Sequence, residues 1–146
     1  KNINFINSKN DAIDLSNSTV EIKNFKAKNI GDKALSVGEN SFLLGTNIII
    51  DKSFLGLASK DQSEVELNNL TISNSDIALA AYIKKQEYNS STIEINKLST
   101  NNNSREFLFE EGSKVKIDGK DNKYFETNVF EKIYPLKELK QKNTLL

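Results

Sequence analysis

The 146-residue chain has no cysteine and no histidine, which excludes disulfides, zinc fingers, thiolate nucleophiles, histidine-based triads and most zinc or non-haem iron sites. Carboxylates, lysine, tyrosine, serine and side-chain amides are what remain for chemistry. Net charge is missing too: twenty Lys and Arg offset twenty Asp and Glu, which removes the electrostatic footprint of a non-specific nucleic-acid binder or a polybasic membrane module. No nucleic-acid partner is therefore expected. The longest wholly apolar stretch, residues 77–83, is far too short for a membrane span, and no charged-then-apolar signal segment opens the chain. With only six glycines there is no phosphate-cradling loop, so no nucleotide cofactor, and no cofactor of any kind, is expected. Asp118, Gly119, Lys120 and Asp121 lack the alternating oxygen ligands of an EF-hand, so no metal site is expected.

What is present suits one soluble domain with a modest core: 37% hydrophobic and 27% charged residues, with a mean hydropathy of −0.51. Nineteen of the twenty basic residues are lysine and twenty positions are asparagine, so asparagine alone, or a glycosylation sequon among such residues, carries little weight.

The informative feature is an internal repeat. Ser18, Ser41, Ser63, Ser91 and Ser113 fall in one column with spacings of 23, 22, 28 and 22 residues. Two residues later the column reads Val20, Leu43, Val65, Ile93 and Val115, and two further on Ile22, Gly45, Leu67, Ile95 and Ile117. Phe25, Ile48, Leu70 and Leu98 follow, then Ala27, Ile50, Ile72 and Thr100, then a polar column of Asn29, Lys52, Asn74 and Asn102. Ile3, Phe5 and Asn7 supply a partial earlier unit, and each unit carries a second apolar patch, at residues 12–15, 34–37, 56–59, 78–81 and, more loosely, 107–109.

Apolar and polar residues alternate within each unit in bursts of two or three, the period of strands, and no window shows a helical period. A unit of about 22 residues with three short strands has the size of one coil of a parallel β-helix, in which identical columns become ladders. The fold class expected is all-β: a right-handed parallel β-helix, or solenoid, of about five coils, with a C-terminal cap. The competing reading is a leucine-rich repeat, since residues 67–72 match its opening; the asparagine then falls two rather than three residues after the third apolar position, and no unit offers a helical segment.

The coils are expected over residues 1–119 and a cap or tail over 120–146, where aromatic and apolar residues precede Pro135, the only proline. Thr127 or Asn128 is the expected start of a short helix, and the lysine-rich residues 137–142 suit a solvated terminus. Because Lys1 falls in the middle of a coil, an upstream portion of the same protein is expected to precede it.

One coil carries six extra residues within 82–89. Insertions in solenoids map to loops on one face, which either bind ligands or are merely tolerated. The same turn brings charge in every coil: Glu39, then Lys60 and Asp61, then Lys84, Lys85 and Glu87 with Tyr82 and Tyr88, then Glu110 and Glu111. Stacked, these form one edge. It is either a mutually compensating solvated surface or equipment for a polar, acidic sugar chain, with aromatic faces to stack and charges to orient. Lys33 lies one coil from Asp11 and is expected to form an inter-coil ion pair with it; as a proton-abstracting base it would need desolvation. The ligand-binding candidates are thus Lys33, Glu39, Lys60, Asp61, Tyr82, Lys84, Lys85, Glu87 and Tyr88, with no catalytic or metal-ligating residue assigned.

Over residues 3–119 the repeats resemble the right-handed parallel β-helix of the pectin-lyase-like superfamily. More narrowly, residues 31–39, 56–61 and 80–87 are similar to β-helix segments of bacterial proteins that carry a CotH-like kinase domain upstream. That resemblance implies that phosphotransfer would belong to the upstream region and that this chain is an appended β-helix. The wider superfamily implies carbohydrate as partner without naming a reaction. Arg105 is the only arginine and no aspartate cluster marks a lyase calcium site, a departure from the pectate-lyase pattern. The function expected is a non-catalytic binding or presentation module for a polysaccharide or cell-surface partner, with an extracellular or cell-surface location favoured. A carbohydrate-active enzyme using Lys33 or Lys60, and a purely structural spacer, are the alternatives.

Overall fold

The computed structural model describes residues 2–145, with side chains as far as Lys142. It contains strands β1 (Ile3–Ser8), β2 (Ile13–Ser16), β3 (Thr19–Gly38), β4 (Phe42–Lys60), β5 (Glu64–Ser73), β6 (Ile77–Tyr82), β7 (Thr92–Asn101), β8 (Arg105–Phe109), β9 (Lys114–Ile117) and β10 (Lys120–Asp121), followed by helix α1 (Val129–Leu145). The strands stack in parallel as a β-solenoid of about five turns.

Each coil has three walls. The first wall contains residues 19–23, 42–46, 64–68, 92–96 and 114–117; the second contains 3–6, 25–28, 48–51, 70–73 and 98–101; the third contains 13–16, 33–38, 55–60, 77–82 and 105–109. The register pairs Val20 with Leu43, Leu43 with Val65, Val65 with Ile93 and Ile93 with Val115, as the repeat columns require. Inside, Phe25, Ile48, Leu70, Ile50, Ile72, Leu35, Leu57 and Leu79 are fully buried. Each such side chain contributes roughly 1.5–3 kcal/mol of burial, and this offsets the conformational entropy of fixing so much strand.

Long strands such as β3 turn two corners because corner residues adopt left-handed backbone; the β3–β4 ladder keeps its register past Asn24 and shifts by one residue between Ile30 and Lys33. Asn24 and Asn29 have φ of 55° and 58°, and Asn7, Asn47, Asn69, Asn74 and Asn102 share that region. Asparagine tolerates it better than other non-glycine residues, and stacking adds amide ladders: Asn29 donates to Asn7 at 2.8 Å, Asn47 to Asn24 at 3.2 Å and Asn69 to Asn47 at 2.9 Å. The serine column is buried at the remaining corner. Ser41 Oγ accepts from the Ser18 N–H at 3.1 Å and donates to the Gly38 carbonyl at 2.7 Å, and Ser63 Oγ repeats the second contact on Lys60 at 2.6 Å.

The C-terminal segment differs from a simple cap. The end of the stack is closed by β10, which pairs antiparallel with β9, and by Phe125, packed against the core. Helix α1 then doubles back and lies along the outside of the third wall. There Val129, Ile133 and Phe130 cover Phe54, Leu55, Ala58, Ile77, Ala80, Tyr82 and Leu108, a second apolar cluster separate from the interior one. Residues 53–59 and 77–82 are consequently buried on both faces. Continuous burial explains why these stretches are uniformly apolar or small instead of alternating. The helix also runs straight through Pro135, ten residues beyond it. Its lysines are not merely a solvated terminus: Lys137 pairs with Asp32 at 2.6 Å, and Lys140 pairs with Asp76.

Candidate functional site

The third-wall edge gathers most of the candidate residues, and α1 decides which of them face solvent. Lys33 leaves the wall beside two carboxylates, its Nζ 3.4 Å from Asp11 and 3.1 Å from Asp32, and its own N–H donates to Asp11 Oδ1 at 2.9 Å. This is the inter-coil pair expected from the repeat. Burial opposes the charge on Lys33, but Asp32 and Asp11 outweigh it and raise its pKa, the reverse of what a proton-abstracting base needs. Burial likewise opposes ionisation of Asp32; hydrogen bonds and charge from Lys137 and Lys33 win and hold its carboxyl below the usual range. For Asp11 burial dominates, and its carboxyl is raised despite Lys33.

Lys60 is different. Its aliphatic stem lies over Gly38, where a Cβ would stand 2.8 Å from Lys60 Cε, so the missing side chain at Gly38 is what lets the lysine lie flat. Among the described residues it has no carboxylate at ion-pair distance. Burial lowers its pKa, the Lys33 and Lys84 cations lower it further, and Asp14 and Asp11 only partly offset them.

Two candidates are placed where they cannot meet a ligand as expected. Tyr82 is only 3% exposed; its ring stacks on Phe130 of α1 with centroids 6.0 Å apart, so it forms a wall of the cleft and not a platform open to solvent. Burial pushes its phenol pKa far up. Asp61 is 1% exposed, and its Oδ1 accepts the N–H groups of Lys84 and Lys85 at 2.7 and 2.8 Å. It anchors the inserted loop, which needs such a partner because the extra residues leave the ladder and their N–H groups lose strand partners.

The remaining candidates sit on the loop or beside it. Lys85 reaches back two coils to Glu39 at 2.7 Å, and Glu39 also accepts from Ser16 at 2.7 Å; the Lys85 hydrogen bond, then that from Ser16, lowers the Glu39 pKa. Glu87 is exposed and Tyr88 half-buried, the latter closing a turn onto the Lys85 carbonyl at 3.1 Å. Lys84 is exposed, with Nζ 5.9 Å from the centre of the Phe130 ring.

The structure therefore gathers Lys33, Lys60, Tyr82 and Lys84 around one cleft between the third wall and α1, and leaves Glu39, Lys85, Glu87 and Tyr88 on a neighbouring rim. Asp32, Phe130, Ile133, Tyr134 and Lys137 complete the cleft lining, and its volume is about 50 Å³. The sequence reading missed these five. Aromatic and apolar residues spaced ahead of Pro135 signalled a packed segment, but nothing in the repeat said which wall it would meet. Among the described residues no group of three or more carboxylates is arranged to hold a metal ion. Among the described residues no helix is long and apolar enough to cross a membrane. No family model matches the sequence, and no curated protein and no solved structure matches it.

Proposed function

We propose that this chain is a non-catalytic binding or presentation module that recognises a carbohydrate or cell-surface partner along the edge of its third wall. The observation that supports it is the convergence of four lysines with Phe130 and Tyr134 on one cleft backed by the buried Tyr82, beside a rim of exposed Glu87 and half-buried Lys85 and Tyr88. Aromatic surface next to fixed cations is the equipment for holding a polar, acidic chain, and a solenoid is a rigid support on which such a rim keeps its spacing. The pectin-lyase-like and CotH-like resemblances of the repeats agree with an appended module that serves an upstream domain of the same protein, and both are part of this proposal.

Native-gel mobility in a panel of neutral and acidic polysaccharides tests it. Retardation by an acidic polymer is expected, weakened by Lys84→Ala and not by Glu87→Ala; uniform mobility in every polymer would overturn the reading in favour of a spacer. A second reading is a carbohydrate-active enzyme, favoured by the lowered pKa of Lys60. It requires release of unsaturated or reducing sugars from some polymer, abolished by Lys60→Ala.

A further inference from the structure

The lysines of the cleft are not equivalent. Lys33 and Lys137 are matched by Asp11 and Asp32 in a continuous chain of ion pairs. Lys60 and Lys84, which also line the cleft, have no carboxylate at ion-pair distance among the described residues. The nearest acid in sequence, Asp61, has its Oδ1 committed to the backbone of the loop.

Lys60 is half-buried, and an ammonium partly withdrawn from water without a partner is costly; with exposed Lys84 lining the same cleft, the two unmatched cations make a site ready for an anion. We propose that the cleft binds a single oxyanion group, a carboxylate, sulfate or phosphate carried by the ligand, between Lys60 and Lys84. The lowered pKa of Lys60, caused first by burial and then by the Lys33 cation, fits a site whose counter-charge comes from outside.

Size limits what enters. About 50 Å³ suits a small charged substituent, since about 10–15 Å³ of such space is enough to hold one water. The body of the ligand would lie outside, against the half-exposed Tyr134 ring. Lysine suits this task because its ammonium is a compact charge with three donors that adapts to trigonal or tetrahedral oxygens. This inference rests on the binding-module reading and names the chemistry its ligand must carry.

The test is a titration of the isotopically labelled chain with inorganic phosphate, sulfate and galacturonate, followed by amide shifts at Lys60, Tyr82 and Lys84, with glucose as the neutral control. Saturable shifts at these residues are expected from at least one anion and none from glucose. Lys60→Gln and the exposed Lys84→Gln should each weaken that binding about tenfold, and Lys26→Gln on the second wall should leave it unchanged. Absence of saturable shifts with all three anions, or equal loss in Lys26→Gln, overturns the site. Anion binding in a chain that no polysaccharide retards would support the cleft and overturn the carbohydrate reading. Retardation that survives Lys60→Gln and Lys84→Gln would do the opposite.

Discussion

Asn47 stands at a corner with φ of 58°, donates to Asn24 at 3.2 Å and accepts from Asn69 at 2.9 Å. Two contributions act at this residue, a backbone conformation that L side chains resist and an exposed hydrogen bond whose net value is small. Asn47→Gly removes only the second; Asn47→Ala removes it and adds left-handed strain. The alanine variant should therefore be less stable than the glycine variant by about 1 kcal/mol in urea unfolding, whereas equal midpoints would mean that the amide ladder alone matters. Asn7, Asn29, Asn74 and Asn102 were legible as one polar column; the corner of Asn24, Asn47 and Asn69 was not read from the sequence. That Lys52 and Lys97 take the same conformation, with φ of 60° each, was not; there the corner is imposed by the coils above and below, which overrule a side chain with no preference for it.

Helix α1 is held by two kinds of contact of different strength. Its first two turns bury Val129 and Ile133, 0% and 7% exposed, in the outer apolar cluster, while Leu136 and Leu139 remain 44% and 58% exposed and the second half relies on Lys137 and Lys140. Ile133→Ala should cost about 2 kcal/mol, the lower end for such a truncation because the helix can close part of the gap. Hydrogen exchange should quicken across residues 129–142 and leave the interior strands protected. The ion pairs add a pH dependence at the same joint. Asp32 is held below its unfolded value of about 3.9, so its stabilisation is present above that value and is lost as pH falls through the lower folded one. Exchange in α1 should accordingly accelerate in acid before the solenoid itself opens. The extension of the helix past Pro135 was not legible, because a proline inside a helical stretch removes one hydrogen bond and ordinarily ends it; ion pairs to Asp32 and Asp76 hold the residues beyond.

At the scale of the molecule, the parallel strands of each coil pair only with those of the coils above and below, so stability is to a first approximation a sum of coils and of the interfaces between them. Leu57, fully buried in a central coil, and Ile13, half-buried in the first, occupy equivalent columns. Leu57→Ala should lower global stability by about 3 kcal/mol and raise exchange throughout the stack. Ile13→Ala should cost less and expose only β1, β2 and the part of β3 paired with them, as read by peptide-resolved hydrogen exchange. A uniform response to both would contradict nearest-neighbour stacking. The sequence by itself determined the coil length, the three walls, the interior ladders, one of the asparagine corners and the Asp11–Lys33 pair. All of these follow from side chains recurring about 22 residues apart, and a recurring pattern carries its own register. Only the tertiary structure decided where α1 lies, and with it the burial of Tyr82, the separation of matched from unmatched lysines, and the meeting of Lys137 with Asp32, 105 residues away. The docking of that helix occurs once in the chain and nothing in the repeat restates it; it is set by the shape and charge of a wall that exists only once the coils have stacked.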